Sequence, residues 1–126
     1  METVAFLDTH LFVWLTAGEV SLISPAAQKF LNQATLRVSP MVLLEVDYLH
    51  EIKRVTMRGE AMFKKLAEEI PIEVANDSMA EICSFASRLS WTRDPFDRLI
   101  VAHASLHKAP LITKDRILHR HYSCVW

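Results

Sequence analysis

The chain has 126 residues, of which 51% are hydrophobic and only two are glycine, and its formal net charge is -1. A chain of this length and composition is expected to fold as a single domain, residues 1–126, around one core, which excludes a disordered protein. Its longest uninterrupted apolar runs, such as Leu11–Leu15, are far shorter than the roughly 20 residues of a transmembrane helix. The start Met1-Glu2-Thr3 shows no basic leader or small-residue cleavage site, and Cys83 and Cys124 stand outside any CxxC spacing. The expectation is a cytoplasmic protein with two reduced thiols and no membrane association.

In chain order, a first strand is predicted at Thr3–Leu7, then a helix over His10–Leu15 that Gly18 ends. Ser24-Pro25, Ser39-Pro40 and Asp94-Pro95 each set a capping side chain before a proline at the first helical position, where a missing N–H costs nothing. They predict helices over 25–34, 40–54 and 95–107, with a brief strand at 36–38 between the first two. A further helix is expected over 60–69. Pro71 and Pro110 precede the short apolar segments 72–74 and 111–113, read as strands. Ser78 and Glu81 have the spacing of a capping box for a helix to about Leu89, and 124–126 reads as a short edge strand. Short apolar strands alternating with helices are the pattern of a three-layer α/β/α sandwich with a central, mostly parallel sheet.

In such sheets ligands bind beyond the carboxyl ends of the strands. Asp8 follows the first strand directly and Asp115 lies two residues past Thr113, so both point at one edge; each is equally placed to cap the helix after it. Glu45 interrupts an apolar stripe of Met41, Val42, Leu49 and Ile52, which implies a cation or donor beside it, whereas Asp47 shares a solvated face with His50, Glu51 and Arg54. Asp97 stands at the third position of its helix, where it either answers the helix dipole or turns into the core beside the sheet edge. Four carboxylates at one edge repel each other unless some protonate or a cation binds. Oxygen-only ligation favours Mg²⁺ or Mn²⁺ over zinc, and phosphodiester hydrolysis is the chemistry such an ion serves.

Charge is unevenly distributed. Residues 1–87 carry seven Lys/Arg against twelve Asp/Glu, whereas residues 88–126 carry seven against three. Arg88, Arg93, Arg98, Lys108, Lys114, Arg116 and Arg120 are candidate phosphate contacts, or else scattered solvated charge. His119-Arg120-His121, and His103 with His107 four residues on, invite a zinc reading. No cysteine or acid accompanies them at ligand spacing, and that reading is set aside. Trp14, Trp91 and Trp126 are assigned to packing.

Asp8-Thr9-His10, Ser39-Pro40 leading to Glu45-Val46, the segment from Arg93 to Ala102 that reads RDPFDRLIVA, and Thr113-Lys114-Asp115 follow one another along nearly the whole chain. In this order they resemble the successive motifs of PIN-domain proteins, in particular the VapC-like toxins of bacterial toxin-antitoxin pairs. The resemblance implies an endoribonuclease using Mg²⁺ or Mn²⁺, with Asp8, Glu45, Asp97 and Asp115 as catalytic and metal-binding acids and Thr9 and Thr113 as orienting hydroxyls. It further implies a cognate antitoxin as partner and a homodimer. An RNA-processing nuclease without an antitoxin, or a catalytically silent interaction module, shares the same pattern, although the silent module predicts the loss of an acid. A haloacid-dehalogenase-like phosphotransferase needs a second aspartate where His10 stands. A response-regulator receiver needs an aspartate directly after a central strand, and neither Val38 nor Val74 is followed by one.

Overall fold

The computed structural model describes residues 3–126, so Met1 and Glu2, and with them the reading of a leaderless start, lie outside the described residues. Among the described residues five parallel strands form one sheet, β1 (Val4–Leu7), β2 (Thr35–Val38), β3 (Ile72–Val74), β4 (Leu111–Ile112) and β5 (Cys124–Val125), in the order β3-β2-β1-β4-β5. Register is fixed by pairs such as Val4 with Thr35, Leu36 with Ile72, Phe6 with Leu111 and Leu111 with Cys124. Seven helices flank the sheet: α1 (Thr9–Ala17), α2 (Pro25–Gln33), α3 (Pro40–Glu51), α4 (Gly59–Glu69), α5 (Met79–Ala86), α6 (Pro95–Leu106) and α7 (Arg116–His121). No helix is long and apolar enough to cross a membrane among the described residues.

The architecture agrees with the α/β class expected from the alternation of strands and helices, and every strand pair is parallel. Phe6, Leu7, Leu111 and Ile112 on the central strands are fully buried with Leu11, Phe12, Val42, Val46 and Val101 from the helices. Continuous apolar strands are what a sheet covered on both faces requires. A smaller apolar cluster of Ile82, Ala86 and Ala102 joins α5 to α6.

Local chemistry explains most helix boundaries. Ser24 accepts from the Ala27 N–H, Ser39 from Met41 and Asp94 from Phe96 and Asp97, each with proline at the next position. Gly18 closes α1 in the left-handed region, φ 73°, where glycine carries no steric penalty. Two helices end about three residues earlier than expected. Helix α3 stops at Glu51 rather than 54, because Lys53 turns into the left-handed region, φ 64°. Helix α5 stops at Ala86 rather than 89, where the Ala86 carbonyl accepts from the Leu89 N–H in a tighter turn at 3.0 Å and also from the Arg98 guanidinium at 3.1 Å. Helix α7 and a 3₁₀ turn at Val20–Leu22 were not foreseen, being too short to show a hydrophobic period.

The strand order places the topological switch beside β1. The chain winds from β1 outward to β3, then returns to the other side of β1 for β4 and β5. Where the two halves part, their crossover connections leave a crevice at the carboxyl edge, the usual ligand position in open α/β sheets.

Candidate active site

Asp8 and Asp115 stand on the two sides of that crevice, immediately after β1 and shortly after β4. Both are helix caps, as the bland alternative had it: Asp8 accepts from the Leu11 N–H at 2.9 Å, and Asp115 from Ile117 and Leu118 at 2.8 and 3.1 Å. Capping uses Oδ1 in each case and leaves the second oxygen for other partners. On Asp8 that second oxygen accepts from the Thr113 hydroxyl, whose own oxygen accepts from the Asp115 N–H at 3.0 Å. A single threonine therefore ties the two acids together across the switch point. Asp8 is only 9% exposed, while Asp115 is open to solvent.

Glu45 approaches from α3 and accepts a 2.5 Å hydrogen bond from the buried Thr9 hydroxyl, which follows Asp8 at the start of α1. The donor its apolar neighbours demanded is therefore Thr9. Asp97 enters from the first turn of α6, half-buried. Among the described residues its carboxylate accepts no hydrogen bond, and no arginine or lysine forms a salt bridge with any of the four acids.

Burial dominates the protonation of the group. It pushes the Asp97 carboxyl up to about 7, and the charges of Asp94, Asp115, Glu45 and Asp8 add to the shift. Asp8 is raised by burial against the Thr113 and Leu11 hydrogen bonds. Glu45 is likewise raised by burial against the Thr9 hydrogen bond, with Asp94 adding repulsion. Asp94, read from sequence as a cap alone, is thus a fifth charge facing the cluster. Carboxyls crowded, partly desolvated and, among the described residues, without an arginine or lysine salt bridge have the chemistry of a site for a hard divalent cation.

Asp8, His10, Trp14, Lys114 and Asp115 line an open cleft of about 340 Å³ at one side of the cluster, bordered by two of its acids. A larger hollow of about 570 Å³ lies at the opposite ends of β2 and β3, among Leu15, Ile23, Leu31, Leu36 and Ile72, and carries none of the acids. Nearby, Cys124 is pushed up to about 12 by burial, with Asp8 and Asp115 adding, which leaves its thiol protonated and unreactive.

Two readings from sequence need correction. Asp47 is not merely solvated: it accepts from the Gly59 N–H at 2.7 Å and meets Arg58 at 3.6 Å, so it anchors the start of α4. Arg98 is no phosphate ligand, because its guanidinium is committed to the end of α5. The acid that His103 and His107 lacked in sequence is present in space. Asp77, beyond β3, accepts from both imidazoles, an approach that residue spacing cannot reveal.

An all-parallel sheet with a pentad of acids at its switch point is an α/β fold with a candidate cation-dependent site. The chain belongs to the PIN domain family, whose profile matches residues 5–123. It is 32% identical over 123 residues to Ribonuclease VapC22 of Mycobacterium tuberculosis (strain ATCC 25618 / H37Rv), covering 94% of each chain. Among solved structures it is similar to DNA-bound VapBC from Salmonella typhimurium, with a TM-score of 0.62, 18% identity and coverage of 98% of this chain and 96% of the other. VapBC2 from Rickettsia felis, bound to a promoter DNA fragment, gives a TM-score of 0.58 at 20% identity, covering 94% and 92%. These two likenesses speak for the fold.

Proposed function

We propose that the chain is a metal-dependent endoribonuclease and the toxin of a toxin-antitoxin pair, with Asp8, Glu45, Asp97 and Asp115 as the catalytic, metal-binding acids. The observation that carries this reading is the convergence of four acids from β1, α3, α6 and β4 on one crevice with no arginine or lysine bridging them among the described residues. The ribonuclease name of the 32% identical relative supports RNA as the substrate.

Mg²⁺ or Mn²⁺ fits the oxygen donors of the four acids and, when bound, supplies positive charge to a phosphodiester and acidifies the attacking water. The chain's own residues hold the geometry. Thr113 fixes Asp8 and, through its oxygen, the backbone of Asp115; Thr9 fixes Glu45. Lys114 lines the same cleft and is placed to receive a phosphate oxygen of the substrate. Trp14, partly buried against the core and 6.1 Å from the Trp126 ring, shapes the wall of the same cleft.

The test is cleavage of RNA by wild type and Asp97→Asn, each with Mg²⁺ or Mn²⁺ and with EDTA. Wild type should cleave only with metal, and Asp97→Asn should lose at least about 100-fold in rate while keeping its circular dichroism spectrum. Undiminished cleavage by the variant or in EDTA overturns the assignment. The toxin role has its own readout: expression alone should slow growth of a bacterial host, whereas normal growth with active nuclease present favours an RNA-processing role. For the partners, the apolar residues Leu44, Tyr48 and Ile52, exposed at four-residue spacing along α3, support self-association or cover by an antitoxin.

A further inference from the structure

Away from the acid cluster, three side chains converge beneath the sheet edge at β3. His103 in the last turn of α6 and His107, the residue that caps its end, lie one turn apart, and both direct Nε2 at the same oxygen of Asp77, at 2.7 and 2.6 Å. The ligand atoms of all three lie within 4.8 Å of one another. Phe6 forms an apolar floor, with its ring centroid 5.4 Å from that of His103 and 5.2 Å from that of His107. His103 is fully buried, and its Nδ1 meets the Ser39 hydroxyl at 2.9 Å.

We propose that Asp77, His103 and His107 form a second metal site, distinct from the carboxylate cluster, that takes a zinc-class divalent ion. Two imidazole nitrogens and one carboxylate oxygen are a borderline-soft set, suited to Zn²⁺ or Co²⁺ and poorly suited to Mg²⁺, which favours oxygen donors and an octahedral shell. Histidines at i and i+4 on a helix present their nitrogens to one point, the same spacing that zinc-binding helices use. Tetrahedral ligands about 2.0–2.1 Å from zinc lie roughly 3.3 Å apart. Each imidazole-to-carboxylate separation therefore needs to open by roughly 0.6–0.7 Å, and the two imidazole nitrogens, within 4.8 Å of each other, need to settle to the same spacing to admit the ion.

The surroundings already supply what such an ion requires of its second layer. As a ligand, His103 must present an unprotonated Nε2 and carry its proton on Nδ1. Ser39 Oγ, within hydrogen-bond distance of that nitrogen, is a rotor that serves either tautomer, giving a proton to a bare Nδ1 or accepting one from Nδ1–H. His107 and Asp77 are both partly exposed, which leaves a path for the ion and room for a water as fourth ligand. Bound there, the ion clamps the segment between β3 and α5 to α6, and through Ser39 to the start of α3. Helices α3 and α6 are the two that carry Glu45 and Asp97, so the clamp sets their mutual position without touching the acids.

The test uses the full chain, stripped with EDTA, dialysed and titrated with Co²⁺, read by visible absorption and calorimetry. Wild type and Asp97→Asn should each show the intense absorption of four-coordinate cobalt at one equivalent, unaffected by excess Mg²⁺. His107→Gln and Asp77→Asn should bind Co²⁺ at least about tenfold more weakly and lose that absorption. Zn²⁺ should raise the melting temperature of wild type and not that of His107→Gln. Should the glutamine variant fail to fold, His107→Cys keeps a ligand and should show a sulfur-to-cobalt charge-transfer band; its absence from a folded protein overturns the site. Equal binding by wild type and His107→Gln, or a cobalt signal that Mg²⁺ displaces and Asp97→Asn abolishes, overturns the proposal and leaves the triad as a hydrogen-bonded clamp.

Discussion

At Asp97 burial and four neighbouring carboxyl groups act in one direction, lifting it to about 7 from an ordinary value of 3.8. In the metal-free protein the folded chain therefore holds a proton on Asp97 between about pH 4 and 7, where the unfolded chain has released it. The folded state binds more protons across this window, so its stability falls as pH rises through it. Asp8 and Glu45, raised in the same sense, steepen the slope. In EDTA, thermal melts should show this decline, and Asp97→Asn should flatten it, gaining on the order of 1 kcal/mol at pH 8. A variant with the wild-type slope would contradict the crowding of these acids. Locally, strand ends mark Asp8 and Asp115 and an interrupted apolar stripe marks Glu45, whereas Asp97 is marked only by its place in the first turn of its helix. The charge of Asp94 on the cluster and the meeting of Asp77 with His103 were not legible in the sequence, since each depends on elements brought side by side by the sheet.

Among the elements, the pairing of α3 with α4 makes the sharpest demand on sequence. Gly59 opens α4 with its N–H on Asp47, and a Cβ at this position would run into the backbone carbonyl of Leu43. Backbone cannot swing aside as a side chain does. Gly59→Ala should lose about 1–3 kcal/mol in urea denaturation. Gly18→Ala, strained by its positive φ but facing open space, should lose less, about 1 kcal/mol. Equal losses would mean that the α3–α4 approach is looser than it stands. Helix starts were readable to the residue wherever a cap precedes proline, as at Ser24, Ser39 and Asp94. Among helix ends, the one at Gly18 was legible, whereas those of α3 and α5 were not, since no glycine marks them, and the six residues of α7 are too few to show a period.

Across the whole molecule, the parallel order of strands was legible from their unbroken apolar character, while strand order was not, because nothing local says that β4 returns beside β1. The exposed row of Leu44, Tyr48 and Ile52, with the Phe96 ring 6.4 Å from that of Tyr48, forms an apolar surface across α3 and α6. On the self-association proposed above, wild type should run as a dimer and Tyr48→Glu as a monomer, seen by light scattering after size-exclusion chromatography, with the circular dichroism spectrum unchanged. An unchanged mass would place self-association elsewhere.

Thr113 reaches Asp8 across 105 positions of sequence, and its own N–H is held by the Val125 carbonyl at 3.1 Å. During synthesis, a nascent chain that has released Asp8, Glu45 and even Asp97 from the ribosome still lacks the strand that closes the crevice. The acids come together only once β4 lies beside β1, so a stalled or clipped polypeptide ending before Thr113 lacks both Asp115 and the hydroxyl that holds Asp8.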